Sequence, residues 1–359
     1  MRPPAPPAGA FSSTVRNVRT VRTFAGADAV HDTRASLLTI YRDSGEARSS
    51  HAGALPEEVI WIDLVNPTDE EKTFVESHTN LRVPSFEALS EIESSSRLIV
   101  DHGVIYLSTP LVAPGEAGDY QLTPAGFLLS QGMLVTVRFA ELPSFKAVAE
   151  QVHADESIRS SVGVFTALVE GFVDRGADIL EHLSGELNDI SKLVFRTKPR
   201  RRRNMARSNE RLRHALASIG IIGERLSVTR DVFLGLDRIV PFVLGLKHEW
   251  IMAEFGHRLE AVSKDVASLN AFEEHLSTKV QFLLDAVLGF INIAQNDLFK
   301  ILTIVSVVGI PPTVVAGIYG MNFKFMPELN WAWGYPFGLA MIALSTIIPL
   351  IWFKWRGWF

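Results

Sequence analysis

The sequence predicts an α/β head, a long α-helical stalk and two C-terminal transmembrane helices. Three observations carry this reading. Strand-like runs with turn residues occupy residues 36 to 140, and apolar positions spaced by three and four follow. Charged residues thin out abruptly after Lys300, so the apolar excess lies in the final stretch.

Composition limits the function classes. The 359 residues leave room for two or three domains. With no cysteine there is neither a disulfide framework nor a thiolate metal site. A net charge of −5 argues against a dedicated nucleic-acid binder. No Walker A, no GxGxxG after a strand, no HExxH and no GxSxG occurs, so the chain is not expected to be an enzyme. His248-Glu249 and Glu273-Glu274-His275 fall in helical sequence and read as surface groups.

Taken in order, residues 1–20 are Pro/Ala-rich and read as a disordered leader without the apolar run of a signal peptide. The long segment before the first apolar stretch is therefore expected in the cytoplasm. Residues 21–160 read as a cytoplasmic α/β domain. SLLTIYR and VIWIDL are strands, and Thr68 with Glu71 forms a capping box that opens the helix DEEKTFVES. RLIVD, VIYLSTPLV, GFLLS and MLVTVRF are further strands, with Gln131-Gly132 as a hairpin turn. From Ser144 the pattern turns helical, and Ser161 to Phe195 reads as one long amphipathic helix, beginning a stalk over 161–298. The basic cluster Lys198 to Arg203, with Arg207, Arg211 and Arg213, reads as a solvated helix turn. A contact with the anionic membrane face or an electrostatic role beside a pore are its other readings. Without interleaved aromatics it is a weak nucleic-acid signal.

No proline occurs from Phe242 to Ile310, and Leu259, Val262, Val266, Leu269, Phe272, Leu276, Val280, Leu283, Val287 and Phe290 step by three or four. This predicts one helix of about 100 Å entering the membrane without interruption. Such a helix cannot bury its apolar stripe alone, so it packs on other helices or on copies of itself.

Ile301–Tyr319 and Tyr335–Phe353 hold no charged residue, and about 19 residues nearly match a hydrocarbon core of about 30 Å. The predicted segments are a first span over 299–320, a connection over 321–334, a second span over 335–354 and a basic, aromatic tail over 355–359. Lys300, Lys354 and Arg356 flank the spans, whereas Lys324 in the connection is offset by Glu328. Both termini are thus expected in the cytoplasm. Trp331, Trp333 and Tyr335 suit one interface, and Trp352, Trp355 and Trp358 the other. Pro311-Pro312 is expected to kink the first span.

Two spans cannot enclose an aqueous pore, which points to several copies. Stepping back from Gly317 by threes and fours gives Thr313, Ile310, Ser306, Leu302, Phe299, Gln295, Asn292, Leu288 and Asp285. Polar groups are costly toward lipid, so this mixed face is read as pore-lining. For Ser306 and Thr313 alone, bonding back to their own helix explains them as well.

The stretch AGIYGMNFKFMPELNWAWGYPFG resembles the pore signature of the CorA family of divalent-cation transporters. Gly320-Met321-Asn322 ends the first span, Met326-Pro327-Glu328-Leu329 follows, and GYP opens the second. GFINIAQN and VVGIPPTVVA are also similar to proteobacterial members, and the strong match covers about the last 75 residues. The resemblance implies a funnel-shaped homopentamer in the bacterial inner membrane. It implies Mg²⁺ influx, with Co²⁺ and Ni²⁺ as further cargo, driven by the membrane potential at roughly 4.6 kcal/mol for two charges per 100 mV. It places Asn322 as a ring holding a hydrated ion, with Gly320 and Met321 beside it and Glu328 raising the local cation concentration. Phe299 and Leu302 then form an apolar constriction, Ile310 a second narrow level, and Asp285 the cytoplasmic mouth. The family often carries Met where Phe299 and Ile310 stand. Closure by cytosolic Mg²⁺ between protomers is implied, with Glu91 and Glu93 near one half of that site by position. No acid stands clearly at the matching place on the stalk; Glu260 and Asp265 are taken as its candidates, and a charged surface face is the other reading. No organic cofactor is implied. A ZntB-like zinc transporter is the alternative within the family, which Met321 disfavours. A membrane-anchored scaffold or sensor is the alternative outside it.

Overall fold

A computed structural model of the chain describes residues 37–42, 47–49, 55–56, 58–91, 97–115, 119–196, 205–322, 324, 326–327 and 331–358, the side chains of 47–49, 196 and 205–209 aside. The leader, Glu93, the cluster Lys198–Arg203 and Glu328 lie outside the described residues.

Seven strands are described: β1 (Leu37–Arg42), β2 (Ala47–Ser49), β3 (Val59–Val65), β4 (Leu98–Asp101), β5 (Val104–Pro114), β6 (Tyr120–Leu129) and β7 (Leu134–Arg138). They form one sheet in the order β2-β1-β3-β7-β6-β5-β4. Only β3 and β7 pair in parallel, with Trp61 opposite Leu134 and Val65 opposite Arg138. Alternation along the strands sends Ile62, Leu64, Val135 and Val137 to one face and Trp61, Phe127 and Leu134 to the other. Helices α1 (Asp69–Thr79) and α2 (Phe86–Ser90) follow β3. The expected capping box at α1 is present: Thr68 Oγ1 accepts from the Glu71 N–H and the Glu71 carboxylate accepts from the Thr68 N–H.

Beneath the opposite face lies a buried polar node. The Arg138 guanidinium donates to both oxygens of Asp63, at 2.9 Å from Nη2 and 3.2 Å from Nε to Oδ2. Thr136 donates to Asp63 at 2.7 Å and receives the Trp61 indole N–H at 2.9 Å. With its partners in place the buried charge is compensated; removal of either partner would strand the other. Tyr41 stacks on Trp61 at 4.3 Å, and burial, assisted by the Asp63 charge and opposed by Arg138, pushes its hydroxyl up to about 12.

Strand β6 begins earlier than GFLLS suggests. Beyond the reach of β4 and β7, β5 and β6 continue as a two-stranded arm in which Pro110 lies opposite Pro124. Each proline stands where no third strand needs its missing N–H, and this is what permits two prolines inside paired strands.

After α3 (Pro143–Ala154) and a short 3₁₀ turn come the long helices α4 (Ser161–Arg196), α5 (Met205–Gly245) and α6 (Glu249–Tyr319). The expected continuous helix from Phe242 is corrected here. Phe242 to Gly245 end α5, the chain reverses through Lys247 at φ 51°, and α6 starts at Glu249. Lys247 donates its N–H to the Leu244 carbonyl at 3.2 Å, closing α5 with a left-handed residue. From Glu249 the helix does run on for 71 residues, through Pro311 and Pro312. At 1.5 Å per residue that is about 106 Å.

Helix α4 runs parallel to α6. Glu170 pairs with Arg258 at 2.6 Å, Asn188 accepts from Lys279 at 2.6 Å, and Phe195 packs on Phe282 and Phe290 at 5.8 and 6.1 Å. Leu259, Val262, Val266, Leu276, Leu283 and Val287 are buried along this seam, as their spacing predicts. They join the core that continues from the Trp61 face of the sheet, so head and stalk share one packed interior. Glu273 departs from the surface reading: it is buried and accepts from Ser277 at 2.6 Å. His275 is exposed.

Candidate functional site

The last part of α6 and helix α7 (Gly334–Trp355) are each long and apolar enough to cross a membrane. They pack on each other. On α7 the contact side is Gly334, Gly338, Ile342, Ser345, Pro349 and Phe353, buried or half-buried at helical spacing. Small residues there let two helices approach closely without a hydrophobic driving force between them. Ser345 and Thr346 donate to the Ile342 carbonyl at 2.8 and 3.0 Å, so their hydroxyls are satisfied within the helix.

On the spanning part of α6, Ile304, Val308, Pro311, Pro312, Val315 and Tyr319 are half-buried and lie toward one face. At about 100° per residue, the stripe of Phe299, Leu302, Ser306, Ile310, Thr313 and Gly317 lies about 180° from it. The stripe is exposed along its length apart from half-buried Ser306, with Phe299, Leu302 and Ile310 at 65%, 61% and 60%. Asp285, Leu288, Asn292 and Gln295 continue it, all exposed. The folded chain therefore covers one side of the first span with α7 and leaves the mixed polar and apolar side open. Thr313 donates to the Gly309 carbonyl at 2.8 Å, so its hydroxyl does bond back to its own helix. The Ser306 hydroxyl makes no hydrogen bond among the described residues.

At the far end Tyr319 closes α6. Gly320 has a right-handed backbone (φ −83°) and donates to Ala316 at 3.0 Å, and Met321 donates to Ile318 at 3.2 Å. Asn322 and Met321 are exposed just beyond this turn. Trp333 and Tyr335 flank the start of α7, at 68% and 79% exposure.

Of the carboxylates expected to regulate closure, Glu93 lies outside the described residues. Glu91 follows α2 and is exposed; Glu260 and Asp265 are exposed on α6. Among the described residues no group of three acidic or histidine side chains could hold a metal ion. Sequence reasoning missed Asp174 on α4. It is close enough to Asp265 for that charge, after partial desolvation and the charges of Glu170 and Asp178, to raise its carboxyl above the usual range. Only the parallel packing of α4 on α6 brings the two together, so no local signal could have found it.

The fold and this site together define a class: a two-span membrane protein whose α/β head and helical stalk lead into a first span with one uncovered, partly polar face. A sequence model of the family described as CorA-like Mg²⁺ transporter protein matches residues 56–355. The chain belongs to that family. It is 30% identical over 303 residues to the magnesium transport protein CorA of Escherichia coli K12, spanning 83% of this chain and 92% of that one. Against the magnesium transport protein CorA of Haemophilus influenzae it is 29% identical over 300 residues, with the same coverage. Its fold is similar to the complete structure of the CorA magnesium transporter from Methanocaldococcus jannaschii. The TM-score is 0.69 at 17% identity, covering 91% of this chain and 99% of that one.

Proposed function

We propose that this chain is the subunit of a homopentameric, channel-like Mg²⁺ transporter of the bacterial inner membrane, with both termini in the cytoplasm. The observation that carries the reading is the uncovered stripe from Asp285 to Gly317, opposite the α7-facing side of α6 and ending beside Asn322. Within the span the hydroxyls of Ser306 and Thr313 on this face are costly toward lipid, and the amides and carboxylate of Gln295, Asn292 and Asp285 continue the same face into the stalk. Copies arranged with these stripes inward would enclose them in a wet pore. We assign the stalk to 161–298, the spans to 299–320 and 335–354, the outer loop to 321–334 and the cytoplasmic tail to 355–359.

In this arrangement a ring of Asn322 amide oxygens bonds to the waters of a hydrated Mg²⁺. An amide ring suits an ion that gives up its waters reluctantly better than a dehydrating carboxylate cage. Gly320 and Met321 hold the ring at the helix end, and Glu328 concentrates cations in front of it. Below, Thr313 and Ser306 alternate with apolar levels at Ile310, Leu302 and Phe299, where dewetting closes the path. Gln295, Asn292 and Asp285 receive the ion on the cytoplasmic side. Influx runs down the membrane potential, with Co²⁺ and Ni²⁺ as further cargo. Cytosolic Mg²⁺ closes the channel by bridging Glu91 and Glu93 of one protomer to Glu260 and Asp265 of its neighbour, and Asp174 adds a carboxylate beside Asp265. The zinc-transport alternative is not favoured, because the family and the relatives above are named for magnesium. The scaffold alternative leaves the polar stripe without a purpose.

The test is metal uptake into liposomes by wild type and Asn322→Ala. The expected outcome is strong Mg²⁺ flux that the substitution abolishes or cuts at least ten-fold. Undiminished flux in the variant would sink the selectivity ring, and no flux in either protein would return the scaffold reading.

A further inference from the structure

The cytoplasmic end of α7 is built more elaborately than an anchor requires. Trp358 donates its N–H to the Phe353 carbonyl and Gly357 donates to Lys354, both at 3.1 Å, with Gly357 in the left-handed region at φ 72°. This pair of bonds is the Schellman cap, which needs a residue tolerant of positive φ at the position Gly357 occupies. The accompanying apolar contact is also present: the Trp358 ring lies 5.1 Å from that of Phe353, which is 1% exposed. Gly357 and Trp358 are thus folded back onto the helix.

The cap settles what faces outward. Arg356 is held with its guanidinium 5.3 Å over the Trp352 ring, a cation–π contact that leaves its planar donor fork exposed. Lys354 is exposed beside it, and no acidic residue occurs anywhere from Gly334 to Phe359. Lys300, by contrast, is already engaged by Asp297 at 3.2 Å. Leading up to these cations, Ile348, Ile351, Trp352 and Trp355 share one face of α7 at spacings of three and four. They are exposed at 60%, 62%, 47% and 87%. An apolar column ending in two cations that form no ion pair among the described residues, one with a fork suited to phosphate, matches a single occupant: an acyl chain ending in an anionic headgroup.

We propose that the capped C-terminal end of α7 is a binding site for an anionic phospholipid, with its chain along Ile348, Ile351 and Trp355 and its phosphate on Arg356 and Lys354. The inference rests on α7 spanning the membrane and is independent of which ion the protein carries.

The test reconstitutes the full-length protein into vesicles of equal parts phosphatidylcholine and phosphatidylglycerol. Gentle re-extraction and mass spectrometry then identify the lipid retained. Wild type is expected to be enriched in phosphatidylglycerol, and raising the salt concentration should reduce the enrichment by screening. Lys354→Gln/Arg356→Gln should lose it, by roughly five-fold per cation removed, whereas Lys354→Arg/Arg356→Lys should keep it. Equal retention of both lipids by wild type would overturn the proposal, as would undiminished enrichment in the glutamine variant. No retained lipid at all, as expected if a neighbouring copy covers this face, would overturn it too. Should the glutamine variant fail to insert, salt-insensitive enrichment in wild type decides against the site. Ion flux enters none of these readouts, so failure here is separable from failure of the transport reading.

Discussion

Asp174 shows how a single side chain can report on an interhelical seam. Partial desolvation and then the charges of Glu170, Asp178 and Asp265 hold its carboxyl above the usual range. The folded state therefore binds its proton more tightly than the unfolded chain does. The associated stability is fully present below the ordinary carboxylate pKa and is lost as pH rises through the raised value. We expect the thermal stability of wild type, measured without divalent cations, to fall more steeply from about pH 4 upward than that of Asp174→Asn. Added Mg²⁺ should narrow the difference above that range, because a cation near Asp174 and Asp265 offsets the same repulsion. Parallel pH profiles for the two proteins would contradict this account. The Asp63–Arg138 node is the opposite case, in which each buried charge has a partner and the network orders the core beneath Trp61.

Among elements, the β5–β6 arm and α5 define the join between head and stalk. Gly235 of α5 approaches Thr109 and Pro110 of β5 so closely that a Cβ there would collide with the Thr109 hydroxyl. Thr109 is itself almost wholly buried, so little space is left for it to move into. Gly235→Val should therefore overpack the joint and lower stability by about 1–3 kcal/mol, read as a reduced unfolding temperature in detergent. An unchanged transition would mean that the arm yields. The turn after α5 shows a limit of pattern reading at this scale. Nothing breaks the apolar spacing near Phe242, and the reversal depends on Lys247 adopting a left-handed backbone, which its residue type does not announce.

For the whole molecule, the decisive feature is that α7 covers one side of α6 and leaves the other open. The chain has no cysteine, so one introduced thiol is unique in each copy. Under mild oxidation in membranes, Leu302→Cys should form covalent dimers between copies, because the proposed pore sets its side of α6 toward a shared axis. Val308→Cys, on the α7-facing side, should remain monomeric on a denaturing gel. Equal cross-linking at both positions, or none at Leu302, would remove the basis for an axial pore. Single-chain packing explains why this face is exposed: one copy has nothing else to set against it.

Much of this protein is legible in its amino-acid sequence. The two charge-depleted runs, the capping box at Thr68 and Glu71, the strand alternation and the helical spacing from Leu259 to Val287 are local patterns, and local physics is enough to interpret them. The signature at Gly320-Met321-Asn322 likewise pointed to the family from sequence alone. Other features depend on residues far apart in the chain. The sheet order, the arm bearing Pro110 and Pro124, the burial of Glu273, the approach of Asp174 to Asp265 and the fold-back of Trp358 onto Phe353 follow from how elements pack or how a backbone turns. The stripe on α6 belongs to both kinds. Helical periodicity placed its residues on one face, but only the packing of α7 decided that this face stays uncovered, because a period fixes an angle around a helix and not what lies on each side of it.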